Sequence, residues 1–365
     1  MTTTALKTGA PKRVMMEGSK AITESAVRGG CRFYTGYPIQ PSTHLLEYMA
    51  RRLPEVGGVC INAESELEGV NMLWGASAAG ARAMITSTGT GLSLMQEAFA
   101  ELCNANLPCV IIHMSRGQSE YWQATKGGGH GDYHLIVLAP STVQEAADLV
   151  YDAFEIADKW RHPVMVQGDY VLGHTVEAVA LPEMRTSFPK KDWTVEGAKG
   201  RNARLVSFTN QQTPSGELIP YGQLIERSIA KYATIEQAEV RVETRYMEDA
   251  EVALVAFGYA ARFCKHSVEL AREQGLKVGL IRPISLWPFP KEAIIKAAGR
   301  VKAFAVFELN SGQMVDDVRL AVLGTAPIEF IGKISQDPSG FGVGPALNSE
   351  LILNDVKKVY QKYVR

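Results

Sequence analysis

Clustered cysteines are missing from this chain of 365 residues. The sequence has five cysteines, and no two of them form a C-x-x-C pair: Cys31, Cys60, Cys103, Cys109 and Cys264. This spacing excludes an obvious disulfide framework, a zinc ribbon or a set of iron–sulfur ligands within the chain. Most of the cysteines are flanked by apolar residues, which is typical of buried structural thiols. If the protein takes part in electron transfer, the metal must therefore be held elsewhere.

A dominant charge and a long hydrophobic run are missing as well. The formal net charge is −1 at pH 7, which gives no support for a nucleic-acid-binding or anionic-membrane surface. No apolar run approaches the ~20 residues needed to span a bilayer. The start of the chain also lacks the apolar core of a secretory signal. We therefore expect a cytoplasmic protein.

A regular alternation of strand-like and helix-like segments runs from residue 13 to residue 180. Apolar strands separated by helices predict an α/β fold with a parallel sheet that is covered on both faces. Residues 181–235 are rich in proline, glycine and charge, so we expect an extended connector, with helix returning around 221–246. A second, smaller α/β unit follows, in which KVGLIRPIS is predicted as one strand. In the first domain, LSLMQEAFAELCNA is predicted as one helix. The length suffices for two domains, and the predicted division is 1–180, 181–235 and 236–365.

Polar, glycine-rich segments follow four of the predicted strands of the first domain. In parallel sheets, ligands bind beyond the carboxyl ends of the strands. The sequence therefore predicts a functional site at one edge of the sheet, built from TGYPIQPST, NAESE, TSTGTG and MSRGQSEYWQATKGGGHGDY.

Two of these strand ends have both a structural and a functional interpretation. Pro38 and Pro41 make a stiff strand-to-helix turn, and the same stiffness would point Gln40 toward a substrate. Arg116 follows another strand, where an arginine either pairs with a surface carboxylate or binds an anionic substrate in a bidentate manner.

Glycine-rich turns leave two further alternatives open. The segment TSTGTG, which contains Thr88 and Gly89, could cradle a phosphate. It matches neither G-x-G-x-x-G nor the P-loop, so an approach turn for a ligand without phosphate is an equal alternative. His130, among several glycines, could be a catalytic base or a hydrogen-bonded loop histidine.

Three carboxylates precede a helix that is built on small residues. Glu64, Glu66 and Glu68 stand just before ASAAG, whose small side chains let another backbone come close. An unpaired charge at the start of such a tightly packed helix is expensive. We therefore expect at least one of the three carboxylates to have a specific partner.

Taken together and in order, these segments resemble the α subunit of 2-oxoacid:ferredoxin oxidoreductases, particularly the branched-chain or ketoisovalerate type. The resemblance covers most of the chain. It implies a thiamine diphosphate (pyrimidine-binding) domain followed by a smaller α/β domain like the C-terminal domain of transketolase. The similar segments are GYPIQPST, LPEVGGVCINAESELEGVNMLWGASAAGARAM, GLSLMQE, QATKGGGHGDYHLIVLAPSTVQEAADL, HPVMVQGDY, GLIRPISLWPFP and FELNSGQMVDDVRLAV.

This resemblance implies a role for Glu66. In thiamine diphosphate enzymes a glutamate hydrogen-bonds the ring nitrogen of the cofactor's aminopyrimidine, which promotes removal of the thiazolium C2 proton. Glu66 corresponds to that catalytic residue, and Pro38, Thr88 and Gly89 are the further expected cofactor contacts. A carboxylate bound to a ring nitrogen is paired, so the cost of its burial is offset.

The residues expected around the substrate differ from the pattern that is common in the family. The resemblance places Arg116 on the substrate carboxylate. The family commonly has threonine where this chain has Gln40, and a longer loop where this chain has Tyr121 and Trp122. With Gln40 and Tyr121 as expected substrate contacts, an aromatic 2-oxoacid such as phenylglyoxylate or a different polar acid would fit, so the acyl group is not inherited from the family.

The activity implied by the resemblance is CoA-dependent oxidative decarboxylation of a 2-oxoacid to an acyl-CoA, with electrons passed to ferredoxin or a similar acceptor. Gly168–Tyr170 lacks the last glycine of the Gly-Asp-Gly metal motif, so no metal site is expected in this chain. A β subunit would supply Mg²⁺ and a [4Fe-4S] cluster, accompanied by γ and ferredoxin-like δ subunits. The alternatives are a transketolase or decarboxylase half without electron transfer and a non-catalytic scaffold, and Glu66 argues against the scaffold.

Overall fold

The computed structural model describes residues 13–364 except 196, 198, 201–203, 208, 210, 214 and 334–346. In chain order the strands are β1 (Val14–Glu17), β2 (Phe33–Gly36), β3 (Val59–Asn62), β4 (Ala83–Ser87), β5 (Val110–Ser115), β6 (Ile136–Leu138), β7 (Val164–Asp169), β8 (Val176–Val179), β9 (Val242–Arg245), β10 (Val252–Val255), β11 (Val278–Pro283), β12 (Ser285–Trp287), β13 (Ala303–Val306) and β14 (Ile328–Phe330).

Helices connect most of these strands. None of the helices in the described ranges is long and apolar enough to cross a membrane. In chain order they are α1 (Gly18–Arg28), α2 (Thr43–Arg52), α3 (Glu66–Ala78), α4 (Gly89–Leu94), α5 (Gln96–Asn104), α6 (Tyr121–Thr125), α7 (Val143–Trp160), α8 (Tyr170–His174), α9 (Tyr221–Ala238), α10 (Ala260–Glu273), α11 (Lys291–Ala298), α12 (Met314–Val322) and α13 (Ser349–Tyr363).

The first domain is built on a seven-stranded sheet with the order β12-β6-β7-β5-β4-β2-β3. All its neighbouring strands run parallel except the pair β12 and β6. Every residue of β4, β5 and β7 is buried, because helices cover both faces of the sheet. The predicted parallel α/β fold is confirmed.

Strand order reverses beside β2. The chain goes from β2 to β3 on one side and then to β4 on the other side, so the loops after β2 and β4 diverge. Such a reversal leaves a crevice at the carboxyl edge of a parallel sheet, which is where doubly wound folds bind ligands. The polar strand ends predicted from the sequence meet at this edge.

Side-chain caps set where the helices at this edge begin. Ser65 precedes α3 and its hydroxyl accepts a hydrogen bond from the Glu68 amide at 3.2 Å. Thr142 caps α7 in the same way through the amide of Glu145, at 3.1 Å. These bonds satisfy amide groups that have no partner within the first helical turn.

The second domain has a five-stranded sheet with the order β14-β13-β10-β11-β9, in which only β9 is antiparallel. Helices α10 and α13 pack on this sheet through a cluster of buried apolar residues that includes Val252, Cys264 and Val356. The smaller α/β unit is therefore present, with α13 as a helix that the sequence analysis did not predict.

The two domains share a sheet. The segment KVGLIRPIS, predicted as one strand, is β11 followed by β12, and β12 leaves the second domain to pair with β6. Arg282 in β11 reinforces this connection, since its guanidinium contacts Glu145 of α7 at 2.8 Å and Glu243 at 2.8 Å. The first sheet is thus completed by residues from the second half of the chain.

Two local predictions were wrong, and one strand pairing was not predicted. The predicted helix over 221–246 ends at Ala238 and is followed by β9, so the expected connector boundary at 235 lies inside α9. The predicted single helix LSLMQEAFAELCNA is two helices that meet at Met95. The pairing of β1 with β8 in a separate two-stranded sheet was not foreseen.

Candidate active site

Glu66 lies at the start of α3 with only 4% of its surface exposed. The hydroxyl of Ser87, at the end of β4, donates a hydrogen bond to Glu66 Oε1 at 3.1 Å. Gly91 of α4 packs directly against both groups. A Cβ on this glycine would lie 2.2 Å from Glu66 Oε1 and 2.0 Å from Ser87 Oγ. A glycine is therefore required here for α4 to approach the carboxylate.

Its two acidic neighbours have different surroundings. Glu64 is exposed, and Glu68 is half-buried. The Glu68 carboxylate accepts a hydrogen bond from the Glu64 amide at 2.6 Å, so it helps to order the first turn of α3. Of the three carboxylates that precede the small-residue helix, Glu66 is the one buried in the crevice.

A row of polar side chains crosses the sheet next to Glu66. Ser87 in β4 is paired with His113 in β5, and His113 is paired with Gln167 in β7. Residues opposite each other in a parallel sheet share a face, so the three side chains form one row. His113 and Gln167 are buried, and none of their side-chain polar atoms has a hydrogen-bond partner among the described residues.

Two members of this row have unfilled hydrogen-bonding capacity among the described residues. Buried polar groups are almost always paired, with ordered water where protein groups are lacking. Burial lowers the pKa of His113, and the charge of Glu120 only partly opposes this effect. A neutral His113 can both donate and accept a hydrogen bond.

The turn after β4 offers another unpaired polar group. Thr88 is fully buried, and its hydroxyl has no partner among the described residues. The next residue, Gly89, packs against the Glu120 side chain. A Cβ on Gly89 would lie 2.4 Å from Glu120 Oε1. The Ser115 hydroxyl in turn donates to Glu120 Oε2. These contacts fix the position of the turn that carries Thr88.

Arg116 and Gln40 are brought together at the same edge. Nε and Nη2 of Arg116 donate to the main-chain carbonyl of Gln40 at 3.3 and 3.2 Å. No carboxylate among the described residues forms an ion pair with this half-buried guanidinium. A neutral carbonyl therefore orients the guanidinium, and the positive charge of the guanidinium is available to bind an anion.

The loop after Arg116 is attached to the second domain. Gln118 donates to the carbonyl of Phe257 at 3.0 Å and accepts from the amide of Leu309 at 3.0 Å. Asn310 donates to the carbonyl of Gln118 at 2.8 Å. Residues far away in sequence thus hold the loop that follows the arginine.

Tyr121 does not reach the site. Its side chain is fully buried, and its hydroxyl donates to Asp317 of α12 at 2.7 Å. Burial and the charge of Asp317 raise the pKa of this phenol well above its usual value. The predicted substrate contact of Tyr121 is therefore replaced by a contact between the domains. The neighbouring Trp122 is 44% exposed.

The structure also shows where Pro38, His130 and Asp169 lie. Pro38 is exposed in the loop after β2. His130 is exposed, and its amide donates to Glu97 at 3.0 Å. Asp169 ends β7 and caps α8 by accepting from the amide of Leu172 at 2.8 Å, so Gly168–Tyr170 spans the end of this strand and the start of the helix. Burial raises the pKa of Asp169 to about 6.

Sequence analysis missed the polar row. The signal was present, since a polar residue interrupts each of three apolar strands near its carboxyl end: Ser87 in AMITS, His113 in VIIHMS and Gln167 in VMVQGD. A buried strand rarely carries such residues without a reason. Their shared position in neighbouring strands could have identified the row.

Comparison with known proteins was made for the whole chain. Residues 24–246 match the family model "Pyruvate flavodoxin/ferredoxin oxidoreductase, thiamine diP-bdg", and residues 250–339 match "Pyruvate:ferredoxin oxidoreductase core domain II". Ketoisovalerate oxidoreductase subunit VorB of Methanothermobacter marburgensis is 41% identical over 331 residues, which cover 88% of this chain and 92% of the relative. 2-Oxoglutarate synthase subunit KorA of Methanocaldococcus jannaschii is 34% identical over 350 residues, which cover 87% and 94%.

Solved structures show the same fold. The 2-oxoglutarate:ferredoxin oxidoreductase from Magnetococcus marinus, with 2-oxoglutarate, coenzyme A and succinyl-CoA bound, is similar with a TM-score of 0.82. The similarity covers 95% of this chain and 65% of that chain, at 24% identity. With family models matched to both domains and relatives aligned over most of their length, the chain belongs to the pyruvate flavodoxin/ferredoxin oxidoreductase family, as an α-type subunit of a 2-oxoacid:ferredoxin oxidoreductase.

Proposed function

We propose that this subunit holds the aminopyrimidine end of thiamine diphosphate in a complex that converts a 2-oxoacid and CoA to an acyl-CoA. The observation that carries the proposal is the buried Glu66 carboxylate, which Ser87 orients and Gly91 covers at the crevice of the sheet. Thiamine diphosphate supplies the carbanion chemistry that cleaves the bond between a carbonyl carbon and a carboxylate. Glu66 would hold the proton that the cofactor's ring nitrogen shares.

The residues around Glu66 fit a polar heteroaromatic group. Ser87 occupies Oε1 of the carboxylate, which leaves Oε2 for a ring nitrogen. The Thr88 hydroxyl is buried without a partner among the described residues, and it lies on the turn that Gly89 keeps close to Glu120. Unpaired polar atoms in a dry crevice are costly until a ligand satisfies them. Thr88, Gly89 and Pro38 are accordingly the proposed cofactor contacts beside Glu66.

The substrate carboxylate is proposed to bind Arg116. The Gln40 carbonyl fixes the direction of the guanidinium, and the Gln40 side chain itself is exposed at the same edge. An anionic group that meets this arginine in a largely buried site gains a charge-assisted hydrogen bond. The Gln40 side chain would then contact the part of the substrate next to the carboxylate. Tyr121 would act indirectly, because its hydrogen bond to Asp317 holds the segment that follows Arg116.

Electron transfer is assigned to partner subunits. The relatives are named as subunits, which supports a multi-subunit complex. All five cysteines of this chain are free, four are buried, and burial raises the pKa of Cys31 to about 12 and that of Cys60 to about 11. No three of these cysteines come together as a ligand group among the described residues, whereas an iron–sulfur cluster needs several thiolates at one place. A β subunit with Mg²⁺ and a [4Fe-4S] cluster, a γ subunit and a ferredoxin-like δ subunit complete the proposal.

The co-purified complex tests this function directly. It should reduce ferredoxin or a viologen dye only when a 2-oxoacid, CoA and thiamine diphosphate are all present, and Glu66→Gln should abolish this reaction. A panel of branched-chain, aromatic and dicarboxylic 2-oxoacids identifies the acyl group. Release of an aldehyde without reduction of any acceptor, in a preparation without cluster absorbance, would instead identify a decarboxylase half.

A further inference from the structure

Two histidines and a glutamate meet away from the crevice, where β1, α2 and α8 come together. Glu17 is the last residue of β1, His44 is the second residue of α2, and His174 is the last residue of α8. Glu17 Oε1 lies 3.3 Å from Nδ1 of His44 and 3.2 Å from Nδ1 of His174. One nitrogen or oxygen from each residue lies within 4.8 Å of the other two.

We propose that Glu17, His44 and His174 bind a divalent transition metal such as Zn²⁺, with water in the remaining position. Two imidazoles and one carboxylate are a common ligand set for such ions. Bonds of about 2.0–2.1 Å place neighbouring ligand atoms of a tetrahedral site about 3.3 Å apart. Both distances to Glu17 Oε1 agree with that spacing, and the two histidine ligand atoms lie within 4.8 Å of each other, so an ion can enter if the imidazoles adjust.

The backbone around the three residues is held by bonds that do not involve them. The amide of Gly18 donates to the carbonyl of Thr175 at 2.9 Å, and the Ser19 hydroxyl donates to the carbonyl of Gly173 at 3.0 Å. A Cβ on Gly18 would clash with the main chain of Leu172, which shows how closely α1 and α8 approach. The backbone that carries Glu17 and His174 is therefore ordered before any ion binds, and this lowers the entropic cost of binding.

Exposure and charge favour a site that exchanges its metal with solvent. The side chains of Glu17, His44 and His174 are 21%, 39% and 28% exposed, which leaves room for a water ligand. The Lys20 ammonium lies 3.7 Å from the other oxygen of Glu17 and opposes a cation.

A bound metal would act on the loop that carries Gln40. The loop after β2 runs directly into α2, and His44 stands in the first turn of that helix. The ion would join this turn to β1 and to α8, which follows β7. It would thus limit the movement of one wall of the crevice while standing outside the proposed chemistry.

Zn²⁺ titration of the chelator-treated full-length chain tests the site. One ion per chain should bind, and Co²⁺ should give the visible absorbance of a four-coordinate N/O site. His44→Gln and His174→Gln should each weaken binding at least roughly tenfold, since even the loss of an outer-sphere partner costs that much. Lys20→Gln should strengthen binding.

His266→Gln is the matched control. His266 is exposed and faces Glu269 at 3.5 Å, but it belongs to no group of three potential ligands among the described residues. Equal weakening by His266→Gln, or unchanged binding in both His44→Gln and His174→Gln, would overturn the proposal. Thermal melts identify a variant that does not fold. In that event Glu17→Gln, which keeps hydrogen bonds but weakens the metal ligand, decides the question.

Discussion

Two buried glutamates at strand-to-helix junctions, one in each domain, have opposite surroundings. Glu308 follows β13, and its carboxylate accepts hydrogen bonds from the amides of Gln313, Met314 and Val315 and from the Asn310 side chain. Glu66 is the first residue of α3, and among the described residues its carboxylate accepts a hydrogen bond from Ser87 alone.

This difference separates a structural carboxylate from a functional one. A buried charge that the chain itself satisfies contributes to the fold, because each charge-assisted bond offsets part of the desolvation cost. A buried charge left partly unpaired costs stability until a ligand binds. The five predictions that follow test this contrast, from the largest expected effect to the smallest.

Glu66→Gln should lower the activity of the assembled complex on the order of 10²-fold or more, because a proton-transferring group is removed. The fold and assembly should be retained, since the amide can still accept from Ser87. Acceptor reduction under saturating 2-oxoacid and CoA measures the loss, and the thermal midpoint checks the fold. Near-normal turnover would remove Glu66 from the mechanism.

Arg116→Ala should lower kcat/KM for every 2-oxoacid. Loss of a charge-assisted contact costs roughly 1.5–3 kcal/mol, which corresponds to about 10- to 150-fold in kcat/KM. Gln40→Thr should cost less but should change the ranking of aliphatic, aromatic and dicarboxylic substrates, because it alters pocket volume and one neutral donor. The same ranking of substrates in the variant and the parent would mean that residue 40 does not determine substrate selectivity.

Gly91→Ala should reduce activity at least roughly tenfold by pushing α4 away from Glu66, since a displaced catalytic group is costly. Its matched control is Gly75→Ala in α3, where the new methyl group meets nothing within 4 Å. The control should keep full activity and gain about 0.5–1 kcal/mol of stability from better helix propensity. Equal activities in the two variants would contradict the close contact between Gly91 and Glu66.

Glu308→Gln should lower stability by roughly 1.5–3 kcal/mol, because one amide oxygen cannot replace a carboxylate that accepts from four residues. Melting of the complex measures this change. Residual activity per folded complex should fall far less than in Glu66→Gln. A variant that melts like the parent protein would show that the Glu308 bonds do not support the second domain.

Asp169→Asn should remove a pH dependence of stability. Burial raises the pKa of Asp169 to about 6 from 3.8, so between these values the folded protein holds a proton that the unfolded chain has lost. The parent protein should therefore lose stability, on the order of 2 kcal/mol, as the pH rises from about 4 to about 6. Melting curves at several pH values should show a smaller slope for the variant, and parallel slopes would contradict this.

Local patterns in the sequence predicted most of the strands and helices, through apolar segments and caps. The family resemblance was needed to single out Glu66 from Glu64 and Glu68, because the local pattern marks all three carboxylates alike. Tyr121 could not be placed, because its partner Asp317 is 196 positions away and no local pattern records that contact. Likewise, nothing in KVGLIRPIS distinguishes a strand that stays in its own sheet from one that crosses to another.

That crossing strand also constrains synthesis and folding. During translation, β6 keeps an unpaired edge until residues 285–287 have left the ribosome, although the rest of its sheet is already complete. Exposed strand edges invite pairing with other chains, and domains normally fold in order from the N-terminus. This subunit therefore cannot finish its first domain before the first three strands of its second domain, β9, β10 and β11, have been made. A fragment that ends between β11 and β12 would carry a complete set of crevice residues and an edge prone to aggregation.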